Sequence, residues 1–294
     1  MIAALLIALG IVTIVYVAIW IAEVRKRTDT PDAGRPDGER IAIGFFANFF
    51  DALGIGSFAT TTTYVRLRKL VRDELIPGSL NVGHCLPTIT QAFIGISVIA
   101  VEPWTLVLMI AAAVAGSWFG AGVVSQMPRR AIQVGMGIAL LAAAGFMFAK
   151  VTGLMPSSDE GTLHLSGLLL VLGLAGSFFL GSIMPLGIGY YAPCMILVNL
   201  LGMNPLAAFP IMMGACAFLM PVASIKFIKT RRYSLRSTVG WAIGGIFGSA
   251  LALLVVKSMP LYWVMWLVTV VVVYTGIGLL RTAAREKAQM PAAI

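Results

Sequence analysis

Several stretches of this chain stay apolar for longer than the ~18 residues that mark a membrane-spanning helix. They lie at about 80–101, 104–126, 131–149, 206–225, 237–256 and 261–280, with a first run at 1–22 and two longer, interrupted segments at 41–65 and 165–201. With 59% hydrophobic and 11% charged residues, the chain carries more apolar surface than a soluble core can enclose. The sequence specifies an all-α polytopic membrane protein. A net charge of +9 raises the question of nucleic acid, but the basic residues sit in short connections between apolar runs. That is the positive-inside pattern, and no nucleic-acid partner is expected.

The interrupted segments organise the rest. The first contains Asp51-Ala52-Leu53-Gly54-Ile55-Gly56-Ser57-Phe58-Ala59 followed by Thr60, Thr61, Thr62 and Thr63. Leu-Gly-Ile-Gly recurs as Leu186-Gly187-Ile188-Gly189, 133 residues later, and Ala59 meets Ala192 at the same offset. Val123-Val124-Ser125-Gln126-Met127-Pro128 echoes Val255-Val256-Lys257-Ser258-Met259-Pro260, and Gly116-Ser117 meets Gly248-Ser249, both 132 residues apart. These patches describe an internal duplication preceded by one extra helix. Residues 1–40 are read as an N-terminal transmembrane helix and cytoplasmic loop, 41–150 as repeat one, and 151–164 as an external linker. Residues 165–282 are repeat two and 283–294 a cytoplasmic tail.

Charge selects the topology. If each interrupted segment crossed the membrane once, the 21 Lys and Arg would divide 14 to 7 between the two sides. If each is a re-entrant hairpin returning to its own side, only Lys150 and Lys257 lie outside and the split is 19 to 2. Each repeat is then a broken-helix hairpin plus three transmembrane helices, and an odd number of crossings makes the repeats inverted. The N-terminus lies outside a bacterial-type plasma membrane and the C-terminus in the cytoplasm, with both hairpin tips reaching towards the midplane.

Breaks at the glycines would let half-helices start near Ser57 and Tyr190 with their N-terminal N–H groups converging, an arrangement that attracts anions without a buried Lys or Arg. Gly54, Gly56, Gly187 and Gly189 admit a ligand close to the backbone, and Ser57, Thr60 and Thr61 offer hydroxyl donors. Close helix packing by small residues is the competing reading. Asp51 is the one acid well inside an apolar run; it either carries a coupling H+ or Na+ or caps backbone N–H groups at the hairpin tip. A polar cluster early in the next helix adds Asn81, His84 and Cys85, and Tyr190 and Cys194 follow the second break. Packing roles compete with binding for His84 and for both cysteines. No metal-ligand spacing, cofactor motif or phosphate loop occurs, and no acid–base constellation can be assembled, so neither an enzyme nor a primary pump is expected.

On the paired glycine breaks, Pro193, Asn204-Pro205 and the matching register of its halves, residues 41–282 resemble the sulfite exporter TauE/SafE family. Ser57 and Tyr190 stand where the family motif has a further glycine. The resemblance implies a transporter of sulfite, a sulfonate or a related sulfur oxyanion; residues and spacing alone imply a small-anion site between inverted repeats. A secondary transporter is the expected function, with an anion channel or uniporter, or a non-transporting membrane scaffold, as alternatives.

Overall fold

In a computed structural model the described residues are 2–26, 35–53, 56–95, 101–154, 162–187, 189–204, 207–255 and 262–289. Their secondary structure is helical apart from a single bridge between Thr162 and Met203. In chain order the helices are α1 (Ile2–Arg25), α2 (Gly38–Ala52), α3 (Ser57–Leu67), α4 (Ile76–Gly95), α5 (Pro103–Val124), α6 (Arg129–Val151), α7 (Gly167–Ile183), α8 (Tyr191–Leu200), α9 (Ala208–Lys229), α10 (Leu235–Val255) and α11 (Tyr262–Gln289). Short 3-10 turns at Asp73–Leu75 and Met184–Leu186 precede α4 and extend α7. α1, α5, α7 with its extension, α9 and α10 are long and apolar enough to cross a membrane, which makes this a membrane-embedded all-α protein.

Local chemistry sets the helix starts. Asp37 caps α2 by accepting the Arg40 backbone N–H at 2.9 Å, which holds its carboxyl below the usual carboxylate range. Glu102 caps α5 by accepting from the Thr105 backbone at 2.7 Å, and Pro103 fills the first turn, where a missing N–H costs little. Both interrupted segments break as expected. α2 stops at Ala52 and α3 starts at Ser57; α7 stops at Ile183 and α8 starts at Tyr191.

Packing relies on small residues, because lipid gives helices no hydrophobic reason to associate. α2 lies against α10 so closely that a Cβ on Gly244 or Gly248 would fall on the backbone of Ile41 or Phe45. α5 lies against α7 in the same manner, with Gly116 and Gly120 over the carbonyls of Phe178 and Ser182. α6 and α11 pair through Gly137 and Gly276. The centre is formed by α4 and α9, which touch each other and contact α10 and α5 respectively. The most apolar window of α9 is 78% buried and that of α1 only 17%, so α1 is peripheral. It is pinned by the Tyr16 hydroxyl, which donates to the Val82 carbonyl at 3.0 Å.

Bonds at the helix ends define two opposite ends of the molecule. At one, Glu39 in the first turn of α2 accepts from Tyr64 and Arg68 at the end of α3. There Arg66 pairs with Asp73, Arg236 with Asp37, and Arg232 donates to the carbonyls of Ser125 and Met127. At the other end, Glu102 N–H donates to Leu163, Leu165 N–H to the Thr105 hydroxyl, and Asn204 N–H to the Thr162 carbonyl. α5 runs between these ends and spans about 33 Å at 1.5 Å per residue. The first turn of α2 thus meets the end of α3, and the residues just before α7 meet those just after α8 through Thr162 and Asn204.

Candidate functional site

The two interrupted segments meet at Gln91. Gly56 holds φ +93° and offers α3 no side-chain cap, so the cap comes from upstream: Asp51 Oδ1 accepts the Ser57 N–H at 2.7 Å. The other oxygen, Oδ2, accepts from Gln91 Nε2 at 2.9 Å, and the same nitrogen reaches Ser249 Oγ on α10 at 3.1 Å. Gln91 Oε1 accepts from the hydroxyl of Tyr191, the first residue of α8, at 2.8 Å. One hydrogen-bonded chain thus runs from the N-terminus of α3 through Asp51 and Gln91 to the N-terminus of α8. Gln91 stands about 22 Å along α4 from Ile76, deep between the two ends.

Asp51 is only 6% exposed, and its hydrogen-bond partners, Ser57 and Gln91, are neutral. The comparably buried Asp73 lies at the basic end and is held by Arg66 at 3.1 Å. An ionised Asp51 has no such cation among its bonded partners; what faces it is the partial positive charge at the N-terminus of α3.

A second polar layer lies next to the first. Asn48 Nδ2, on α2, sits 2.8 Å from His84 Nδ1, and the imidazole stacks on Trp241 at 5.4 Å and approaches Phe58 of α3 at 5.9 Å. Donation from Asn48 leaves the proton of the neutral ring on Nε2. His84 Nε2, Trp241 Nε1, Asn48 Oδ1 and the hydroxyls of Thr61, Thr62 and Thr63 are buried without a hydrogen-bond partner among the described residues. Each such orphan costs about 1–3 kcal/mol unless water or a ligand completes it, and Thr61, Thr62 and Thr63 point to different sides of α3.

The remaining sequence candidates separate into groups. Gly54 lies outside the described residues. Thr60 turns back on its own helix, donating to the carbonyls of Gly56 and Ser57. Gly187 (φ +105°) and Gly189 (φ +76°) adopt the left-handed backbone that favours glycine. A Cβ on Gly56 or Gly189 would meet nothing within 4 Å, so open space adjoins both breaks, whereas Gly187 abuts Met136 and Leu80. Asn81 Nδ2 donates to the Pro185 carbonyl at 3.1 Å and ties α4 to the second break, and its Oδ1 has no partner among the described residues. Tyr190 and Cys194 are buried together one helical turn apart. Cys85 is buried on another face of α4, against Tyr16 and Ser224, and does not join Asp51 and His84.

Gln91 closes the polar cluster that begins at Asn81, whereas Asn48, Tyr191, Trp241 and Ser249 join the constellation from outside the sequence candidates. Asn81, His84, Thr88 and Gln91 recur at helical spacing, which signals one polar stripe along α4. Trp241 and Ser249 carry no such signal. Among the described residues no group of three or more His, Cys, Asp or Glu gathers as a metal site. Compared with protein families, curated proteins and solved structures, the chain matches none.

Proposed function

We propose that the protein is a secondary transporter of a small sulfur-containing anion, such as sulfite or a sulfonate, of the kind the sulfite exporter TauE/SafE resemblance implies. In this reading it has two inverted repeats that alternate access around paired re-entrant hairpins in a bacterial-type plasma membrane. The observation that carries the reading is the chain Ser57–Asp51–Gln91–Tyr191, which joins the N-termini of the two half-helices deep in the apolar body.

The packing supports the inverted duplication. α2 against α10 and α7 against α5 are the same contact under exchange of halves, as are α4 against α10 and α9 against α5. Glycines at equivalent positions make the close approaches: Gly248 over Phe45 corresponds to Gly116 over Phe178. The return of each interrupted segment to its own end, and the gathering of basic residues at one of those ends, support hairpins with the basic end in the cytoplasm.

The geometry also suggests how an ion is coupled. The N-terminus of α3 is an anion-attracting position, and the Asp51 carboxylate already fills it. A substrate anion approaching the same N–H groups meets a like charge unless Asp51 carries a proton. Protonation removes that repulsion, so proton and anion bind together. Gln91 accommodates the change by turning its amide. Its Oε1 then accepts from protonated Asp51, while Tyr191 and Ser249 exchange donor and acceptor roles, as hydroxyls can. The protonation state of one hairpin is thereby read at the other.

Purified protein in liposomes, offered radiolabelled sulfite, thiosulfate, an alkanesulfonate or sulfate, tests the proposal. Saturable uptake of at least one of the sulfur anions, lost in Gly189→Val, is the expected result. Absence of uptake for the whole panel, or uptake unchanged in Gly189→Val, overturns it.

A further inference from the structure

At the basic end, two adjoining clefts open between α3, α11 and the loop that leads into α4. One, of ≈ 450 Å³, is lined by Arg66, Leu67, Tyr274, Ile277, Arg281 and Thr282 among others. Its neighbour, of ≈ 320 Å³, shares Arg66 and Thr282 and adds Lys69, Arg72, Asp73 and Arg129. Arg66 forms the partition. Its guanidinium donates to Asp73 and to the Thr282 hydroxyl.

Two features of the lining differ in kind. Leu67, Tyr274 and Ile277 are 57%, 67% and 37% exposed, an apolar strip shared by α3 and α11. Beside it stand five cations: Arg66, Lys69, Arg72, Arg129 and Arg281. Asp73 engages Arg66 and Arg129, and Glu74 engages Arg72 and Arg129. Lys69 and Arg281 are exposed and form no ion pair among the described residues. Positive charge therefore exceeds negative at a spot where one wall is water-facing and the other lipid-facing. A soluble anion would use only the first wall.

We propose that this double cleft binds an anionic phospholipid. Its phosphodiester sits between Lys69 and Arg281, and one acyl chain lies along Leu67, Tyr274 and Ile277. Basic residues at a membrane surface attract anionic lipid headgroups in this manner. Lys69 ends the first hairpin and Arg281 lies on the last helix, so the bound lipid ties α3 to α11 beyond their own contact. The site is separate from the Asp51–Gln91 centre and does not depend on what the protein transports.

Native mass spectrometry of the detergent-purified chain, titrated with phosphatidylglycerol or phosphatidylcholine, tests this. Wild type should prefer phosphatidylglycerol by about tenfold or more, and each neutralised cation should weaken that lipid about fivefold, the pair Lys69→Gln/Arg281→Gln about twenty-five-fold. Phosphatidylcholine, which shares the phosphodiester but carries a compensating choline cation, should weaken by a smaller factor. Charge reversal alone, Arg281→Glu, should weaken phosphatidylglycerol at least as much as neutralisation. The control pair Lys229→Gln/Arg231→Gln, which removes two cations from another basic connection, should leave the preference intact. Equal binding of the two lipids overturns the proposal, and so does equal loss in the control pair. Displacement of the lipid by inorganic phosphate or by the deacylated headgroup at matching concentration reassigns the cleft to a soluble phosphate and overturns it as well.

Discussion

Replacing Asp51 separates what its charge does from what its shape does. The carboxylate accepts two hydrogen bonds, 2.7 Å from the Ser57 N–H and 2.9 Å from Gln91 Nε2. In Asp51→Ala the Ser57 N–H is left buried and unpaired, while Gln91 keeps Ser249. Hydrogen bonds to a charged acceptor are worth about 1.5–3 kcal/mol each, so the loss of two should be about 3–6 kcal/mol. In Asp51→Asn the side-chain oxygen can stay on Ser57 and its new NH2 faces Gln91. A half-turn of the Gln91 amide then restores every bond, with the Tyr191 and Ser249 hydroxyls reversing their roles. Only the charge assistance is lost, about 1–2 kcal/mol. Thermal unfolding in detergent should rank wild type above Asn and Asn above Ala, with a gap of about 2 kcal/mol between the variants. Gln91→Leu should abolish the advantage of Asn over Ala, giving a coupling of about 1 kcal/mol or more in a double-mutant cycle. If Asn is as damaging as Ala, the reversible network described for Gln91 is wrong.

Glycine contacts predict paired losses: Gly116→Ala and Gly248→Ala should each cost about 1–3 kcal/mol through overpacking on Phe178 and Phe45, whereas Gly122→Ala, with open space around it, should be neutral or slightly stabilising. Equal behaviour of the three in thermal melts would remove the close-packing argument. Asp37, its carboxyl held below the usual range by the Arg40 N–H, contributes stability that is present above its unfolded pKa of about 3.9 and lost as pH falls through its lower folded value. Asp37→Asn should therefore trail wild type near neutral pH, by less than about 1 kcal/mol for so exposed a pair, and the two should converge on acidification; a gap that widens in acid contradicts the assignment. Cysteines at Leu154 and Thr230, both exposed, should label from opposite faces of intact cells, and labelling from the same face excludes the hairpin topology.

Much of the architecture was written in hydropathy and in the paired glycines, because period and breaks are local properties of the chain. The breaks fall where Gly56, Gly187 and Gly189 need positive φ, and the apolar runs became helices to within a few residues at most ends. The site was legible only in part. Asp51 could be recognised as exceptional because a carboxylate in an apolar run is costly, and its bond to Ser57 agrees with capping without deciding against coupling. Spacing alone left His84 and Cys85 as equal neighbours, yet consecutive helix positions differ by about 100°, and that rotation sends one to Asn48 and the other to Tyr16. Tyr190 and Tyr191 stand side by side at the second break, and the fold places Tyr191, not Tyr190, on Gln91. Trp241 and Ser249 join through the contact of α10 with α2 and α4, more than 150 residues away, which no local pattern encodes.

In the proposed transport an anion moves together with a proton held on Asp51. An internal pH dye in liposomes, read while an alkanesulfonate or thiosulfate is taken up near neutral pH, tests it most directly, since these anions are fully ionised and carry no proton of their own. Acidification of the lumen that follows uptake, with both lost in Asp51→Asn, is the predicted result. Uptake of the anion without acidification, at a rate unchanged in Asp51→Asn, would contradict it.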